Sequence, residues 1–355
     1  MRIALLGVGL IGGSVGLAAG GDGHDVIGWD PDPAGLDRAR ETGAVGAAAE
    51  SVEDAVAGAD VVFACAPVGA LPGLVAEALA AAGDACVVTD VGSTKRAVAA
   101  IDDERFIGGH PIAGAETSGV ENARASLFRG ATWYLTPGER SSGVLYERLH
   151  SLLVSFGAMP VALDADTHDR LLAAVSHLPH VLANVLVSQV ANRLSREGEA
   201  LPRVGPSFRD ATRVAGANSA IWTDIYLSNA EAVAEEVEAL AGDLGEVARM
   251  LRAGDGDALR SWNERAAGDR RRLLEADLAG GAVHELQASV PNRPGIVAQV
   301  ALALGRGGVN IADMALAPAP DNRSGAITLW VVGEDAGVRA AELIEALGFP
   351  VAGVR

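Results

Sequence analysis

Along the first 162 positions, short unbroken apolar runs alternate with alanine-rich stretches in which apolar residues recur every three or four places. The runs, bounded by glycine, proline or aspartate, read as strands covered on both faces and predict strands at 2–7, 24–30, 60–65, 85–90 and 106–109. The stretches between them predict helices at about 12–20, 33–43, 68–82 and 94–102, and this alternation implies an α/β fold with a doubly wound parallel sheet. From about 163 to 278 the period is helical throughout. Positions 170–190 are apolar nearly all round, which marks a helix buried on most sides, and Pro179 within it predicts a kink or a break. Helices near 219–253 and 256–278 carry more charge and are amphipathic. The segment 283–355 returns to strands, at 284–290, 309–317, 325–333 and 349–354, with helices at 295–306 and 335–347. That is the β-α-β-β-α-β order of a ferredoxin-like module, and Gly280-Gly281 marks a linker before it. Three regions are therefore expected: a doubly wound domain at 1–162, an all-helical domain at 163–279 and a ferredoxin-like module at 283–355.

Composition narrows the function classes. The 355 residues carry 46 acidic against 28 basic side chains, a net charge of −18, which is a poor match for the phosphates of nucleic acid. Past the N-terminus no run of about 18 uncharged apolar residues is evident, so no membrane span is expected. Cys65 and Cys86 sit in strand-like runs with no zinc spacing, and read as buried thiols of a reducing, cytoplasmic compartment. Lys95 is the only lysine; either it has a site-specific use or it is a chance survivor among arginines.

The N-terminus admits two readings. Arg2 followed by the apolar stretch 3–19 resembles a signal peptide. Against this, a short strand leads into Gly7-Val8-Gly9-Leu10-Ile11-Gly12, the G-x-G-x-x-G spacing in which Gly7 allows a tight turn, Gly9 lets backbone approach a pyrophosphate and Gly12 lets the helix pack closely. The second strand then ends in Asp30, placed to accept hydrogen bonds from ribose hydroxyls and to repel a 2′-phosphate, which favours NAD over NADP. A matched strand and acid would not follow a signal peptide. Pro67 and Val68 after the third predicted run, and Asp90 and Gly92 at and after the end of the fourth, fall at the carboxyl ends of strands where such sheets bind ligands, and are expected to line the cofactor cleft.

Downstream, FIGGHPIAGAETSG at 106–119 centres a histidine, the side chain that exchanges protons near neutral pH, in glycine-rich surroundings. His110 either is a proton acceptor approached closely by substrate or caps the turn before Pro111. Arg213 offers a bidentate fork for a carboxylate, or pairs with Asp210 three residues earlier. His177 and His180 share one helical face as metal ligands or core residues, and no Cys or acid cluster completes a metal set. Glu116 and Thr117 are candidates for the rim of the substrate site.

Taken in order, GVGLIGGS, DVGSTK, GGHPIAGAETSG, SHLPH at 176–180 and FRDATR at 208–213 resemble the prephenate dehydrogenases of tyrosine biosynthesis over about residues 1–278. The resemblance implies oxidative decarboxylation of prephenate to 4-hydroxyphenylpyruvate with NAD, and a helical domain this large after a nucleotide domain is expected to build a homodimer interface. It implies His110 as the catalytic base, Ser93 as a hydroxyl bonding both that histidine and the substrate, and His180 in the substrate pocket; the alternative for Ser93 is an N-cap near Thr94. The last segment resembles an ACT domain, implying an amino-acid effector such as tyrosine near Asn292, Gly295, Asn310 and Ile311, although Asn292 replaces the acid usual in its PNRPG turn. Arogenate dehydrogenase, a non-catalytic NAD and amino-acid sensor, and a β-hydroxyacid dehydrogenase are the competing readings. The last lacks its expected lysine on the helical domain.

Overall fold

A computed structural model describes residues 1–114, 117–197, 204–277, 283–291, 296, 299–300, 303–304, 307–319, 324–333 and 335–354. They form two compact units, Met1–Ala241 and Gly242–Arg355.

In the first unit an eight-stranded sheet runs β3-β2-β1-β4-β5-β6-β7-β8. Its strands are β1 (Arg2–Leu6), β2 (Asp25–Trp29), β3 (Ala47–Ala48), β4 (Val61–Ala64), β5 (Val87–Asp90), β6 (Phe106–Pro111), β7 (Thr132–Pro137) and β8 (Met159–Ala162). The helices between are α1 (Leu10–Gly21), α2 (Pro33–Glu41), α3 (Val52–Val56), α4 (Leu71–Ala81), α5 (Arg96–Ala99) and α6 (Gly143–Ser155). From β3 to β6 neighbouring strands are parallel, in the 3-2-1-4-5-6 order of a doubly wound sheet. The apolar runs are unbroken because helices cover both faces. Ile3, Leu5, Val61, Phe63 and Val87 enter one core cluster with α1 and α6, while Ala4, Leu6, Val62, Ala64 and Val88 enter another with α3 and α4.

The five expected strands form within two residues of their expected ends. The helix expected at 94–102 contracts to α5, and β7, antiparallel to β6, with β8 beside it, extends the sheet beyond the expected pattern. Cys65 is half-buried and Cys86 buried, and burial with nearby carboxylates pushes both thiols up, Cys86 to about 11. Neither is an activated thiol.

Helices follow without a strand among the described residues up to 277: α7 (Ala165–Leu172), α8 (Leu178–Glu197), α9 (Pro206–Ala211), α10 (Ser219–Ser228), α11 (Ala230–Ala253) and α12 (Gly256–Asp277). Between α7 and α8, Ala173–His177 widens into a π-helical turn. Pro179 has no N–H for the Val175 carbonyl, and its ring would crowd that carbonyl in a regular turn; the wide turn is the form its disruption takes. Two expectations change here. The apolar stretch is not buried all round, since Val175 is 60% and Val185 53% exposed in this chain. It is also long and apolar enough to cross a membrane over Ala165–Arg193, because its polar residues are mostly uncharged and do not interrupt the hydropathy. The helix expected over 219–253 divides at Asn229, whose buried amide donates to the Asp169 carbonyl at 2.7 Å.

In the second unit β9 (Val283–Pro291), β10 (Asn310–Pro318), β11 (Ser324–Val332) and β12 (Val351–Val354) form an antiparallel sheet ordered β10-β11-β9-β12, with α13 (Ala336–Ala346) between β11 and β12. Ile296, Val300 and Leu304, helical and spaced by four, share its core with Leu286, Ile327, Leu329, Val331 and Ile344. The Arg270 guanidinium of α12 lies 4.4 Å above the Trp330 ring of β11.

Candidate active site

The carboxyl ends of the parallel strands carry the site, beginning at the glycine turn after β1. Gly7 has φ +104°, and a Cβ there would fall 2.1 Å from the Cys65 carbonyl oxygen, so the turns after β1 and β4 touch only because no side chain intervenes. A Cβ on Gly12 would fall 2.0 Å from the Gly7 carbonyl oxygen, which is the close helix packing expected of the third glycine. Gly9 differs: it is exposed, and a Cβ would meet nothing within 4 Å. It caps α1 with no side-chain hydrogen bond on the first amides, and the space beside it lies at the helix N-terminus. Open space beside backbone donors at a helix N-terminus fits a pyrophosphate. At the end of β2 the Asp30 carboxylate accepts from the Val8 amide at 2.8 Å and the Asp32 amide at 2.9 Å, and each oxygen keeps a second lone pair for a ribose hydroxyl.

After β4, Pro67 is exposed and Val68 buried. Pro67 borders a cavity of about 270 Å³ with Ala220, Ile221, Thr223, Asp224 and Leu227 of α10, and Asp224 accepts from the Gly69 amide at 2.8 Å. Asp90 and Gly92 do not line a cleft as expected. Asp90 is fully buried, and its carboxylate accepts from the Gly92 amide at 2.8 Å, the Gly109 amide at 3.0 Å and the Lys95 ammonium. Lys95 is equally buried, and its ammonium also donates to the Gly109 carbonyl at 2.6 Å. Burial pulls the Lys95 pKa down and Asp90 opposes it. The lone lysine is thus a buried tie between the turn after β5 and the backbone of β6.

His110, 9% exposed, stands near the carboxyl end of β6. Its Nδ1 lies 2.9 Å from His168 Nε2, and His168 Nδ1 lies 2.8 Å from Asp169 Oδ1. The Asp169 carboxylate also accepts from the Lys95 amide at 2.7 Å and the Arg96 amide at 2.9 Å. Burial works against the charged form of Asp169, but the His168 contact and those two amides outweigh it and hold its pKa below the usual carboxylate value. Burial first, then the proximity of His168, Lys95 and His177, pushes the His110 pKa well below 6.5, so its imidazole is neutral at physiological pH. The glycines before it serve packing rather than substrate approach: a Cβ on Gly109 would fall 2.6 Å from the Asp90 carbonyl oxygen, and one on Gly108 2.3 Å from Thr136 Oγ1.

Ser93 is half-buried, and no hydrogen bond joins it to His110, whose Nδ1 is taken by His168. His180 is 4% exposed and stacks on Trp222 at 3.6 Å with 7° between planes. Its Nδ1 meets the Tyr226 hydroxyl and, at 3.1 Å, the Asn184 amide, while its buried Nε2 has no hydrogen-bond partner. Burial lowers its pKa, against the opposing effect of the nearby Val214 backbone. His177, edge-on to Trp222 at 6.1 Å, lies 3.3 Å from the Asn229 amide, and burial lowers its pKa to about 4. A chain of contacts therefore runs from His110 through His168, Asp169, Asn229, His177 and Trp222 to His180. Arg213 is exposed, just beyond α9 and one residue before Val214. Thr117 is exposed, and Glu116 lies outside the described residues. Of the expected effector residues, Asn292 and Gly295 also lie outside them, Asn310 begins β10 and Ile311 is half-buried in it. Sequence reasoning missed His168 and Asp169; the one signal was a His-Asp pair at the head of a helix otherwise rich in apolar residues.

Residues 15–161 match the family described as prephenate dehydrogenase, nucleotide-binding domain, and residues 164–264 match prephenate dehydrogenase, dimerization domain. The chain is 30% identical over 355 residues to the prephenate dehydrogenase of Bacillus subtilis (strain 168), covering 97% of this chain and 95% of that protein. Among solved structures it is similar to the prephenate dehydrogenase from A. aeolicus in complex with hydroxyphenyl propionate and NAD+, with a TM-score of 0.72 and 27% identity over 77% of this chain and 98% of that one. The Synechocystis arogenate dehydrogenase gives a TM-score of 0.67 and 26% identity, over 77% of this chain and all of that chain.

Proposed function

Because this chain belongs to the prephenate dehydrogenase family, we infer that it carries out NAD-dependent oxidative decarboxylation of prephenate in tyrosine biosynthesis, with His110 receiving the proton of the ring hydroxyl. The observation that carries this reading is the position of His110: a buried, neutral imidazole at the carboxyl end of β6, in the same row of strand ends as the glycine turn of β1. Three strand spacings of about 4.8 Å separate β1 from β6, about 14 Å in all, the scale of an extended dinucleotide.

NAD, when bound, supplies the hydride acceptor. The residues fit it: Gly9, Leu10 and Ile11 would hold the pyrophosphate, with Gly7 and Gly12 shaping their turn, and Asp30 the ribose, with Pro67 and Val68 bordering the cleft. His110 is a weak base, which suffices because the hydroxyl becomes strongly acidic as its carbon is oxidised. Its low pKa keeps the imidazole in the accepting form. Arg213 would grip the ring carboxylate until it departs as carbon dioxide, with His180 Nε2 meeting a polar group of the substrate. Ser93 would meet the substrate hydroxyl, and Glu116 and Thr117 its rim.

Exposed apolar residues on α8 and α10 to α12, including Val185, Leu227, Leu244 and Leu251, support a homodimer built through the helical region, working in the cytoplasm. The sheet order of the second unit supports an ACT-like module that binds tyrosine at the edge carrying Asn310 and Ile311 and lowers activity. NADH formation from prephenate and from arogenate, each with and without tyrosine, tests these readings together. Turnover of prephenate is expected; turnover of arogenate alone would move the assignment to the amine-bearing substrate, and no turnover of either would refute catalysis.

A further inference from the structure

We propose that His168 and Asp169 are positioning residues that hold His110 in the tautomer whose Nε2 is free to accept the substrate proton. The proposal rests on the reading of His110 as the base, and follows from who can donate to whom. The Asp169 carboxylate can only accept, and the Lys95 and Arg96 amides already point at its two oxygens. His168 Nδ1, 2.8 Å from Oδ1, must therefore carry its hydrogen toward Asp169. In the form the proposal assigns to His168, with one proton and that proton on Nδ1, Nε2 carries a bare lone pair, and that atom lies 2.9 Å from His110 Nδ1. His110 must then be the donor at Nδ1, and its own lone pair is left on Nε2. With one proton on each ring, the opposite assignment would set two lone pairs against each other at 2.9 Å; a doubly protonated His168 would instead donate to His110, the arrangement that ¹⁵N labelling would reveal.

His168 is 0% exposed, and the Tyr134 ring stands edge-on to it at 5.6 Å and 86°. The backbone on the other side of the pair is equally fixed, since Gly109 gives its amide to Asp90 and its carbonyl to Lys95. Asp90 and Lys95 cancel in charge, so Asp169 leaves one net negative charge behind His168. When His110 Nε2 gains the hydroxyl proton, the new positive charge keeps its Nδ1–H on His168 and faces that carboxylate across the His168 ring. No further proton need move.

The test is made on the whole 355-residue chain with NAD bound. Histidine labelled with ¹⁵N is expected to report His110 protonated at Nδ1 and bare at Nε2; the reverse tautomer would overturn the proposal without any variant. His168→Phe, which removes the acceptor, is expected to lower kcat by about 10²–10⁴-fold while KM and the NAD Kd stay within about threefold. His168→Gln, whose amide oxygen can accept from Nδ1, should recover at least about tenfold of that loss. Asp169→Asn, which can donate to His168 and reverse both rings, should lower kcat about as far as His168→Phe. If His168→Phe binds NAD normally and keeps near-native kcat while His110→Asn is inactive, the positioning role fails and the base assignment stands. If His110→Asn is itself active, both fall.

Discussion

The Lys95 amide donates to Asp169 Oδ1 at 2.7 Å across 74 positions of sequence, joining the turn after β5 to α7 beneath His110. The same lysine closes a buried ion pair with Asp90, so one residue uses its backbone to hold the carboxylate behind His168 and its side chain to hold the strand that carries His110.

Removing that ammonium leaves a buried carboxylate without a counter-charge. Lys95→Met is expected to destabilise the protein by about 3–5 kcal/mol, and Lys95→Met with Asp90→Asn to recover part of the loss. Urea unfolding of the three proteins checks this; equal stability of Lys95→Met and the wild type would show that the pair contributes nothing.

The glycine turn separates folding from binding. Gly7→Ala places a methyl 2.1 Å from the Cys65 carbonyl oxygen at φ +104° and should be strongly destabilised, whereas Gly9→Ala places one in open space and should melt normally. If that space holds the pyrophosphate, Gly9→Ala weakens the NAD Kd by at least about tenfold, the scale of a lost charged hydrogen bond. Thermal melting alongside NAD titration distinguishes the two effects.

Acidification should unfold the protein in two stages. The pKa of His177 falls on folding from an ordinary 6.5 to about 4, and that of His110 also falls, so the stability tied to their neutral forms is complete above about 6.5 and is lost as the pH drops toward 4. Asp169, also lowered on folding, contributes above its ordinary value near 3.8 and loses its contribution as the pH falls through its lower folded value. Tm measured from pH 8 to 3 should decline through both windows, and the decline between 6.5 and 4 should be shallower in His177→Phe. A Tm independent of pH down to 4 would contradict the buried neutral histidines.

The proposed role of Asp30 at the ribose makes cofactor choice depend on its carboxylate. Asp30→Asn keeps an acceptor for one of the Val8 and Asp32 amides but removes the charge that opposes a 2′-phosphate. The ratio of kcat/KM for NAD over NADP is expected to fall by roughly tenfold or more, the scale of one charged interaction. An unchanged ratio would place the discrimination elsewhere.

The doubly wound half was legible because its signals are local. Ile3 to Leu6 alternate between two covered faces, so the apolar run is continuous, and Gly7, Gly9 and Gly12 act within a single turn. β7 escaped because Thr132, Tyr134 and Thr136 interrupt its apolar residues. The partners of His110 escaped for a different reason: His168 lies 58 positions away, and the packing that joins them is tertiary. Asp90 was misassigned because a carboxylate at a strand end reads the same whether it faces a cofactor or a buried lysine. Only the three-dimensional position of Lys95 decides.

The central claim is that the imidazole of His110 takes the substrate proton, and NADH formation from prephenate by His110→Asn tests it most directly. The variant should bind NAD as tightly as the wild type while kcat falls by about 10²–10⁴-fold. Near-native kcat with NAD bound would contradict the account.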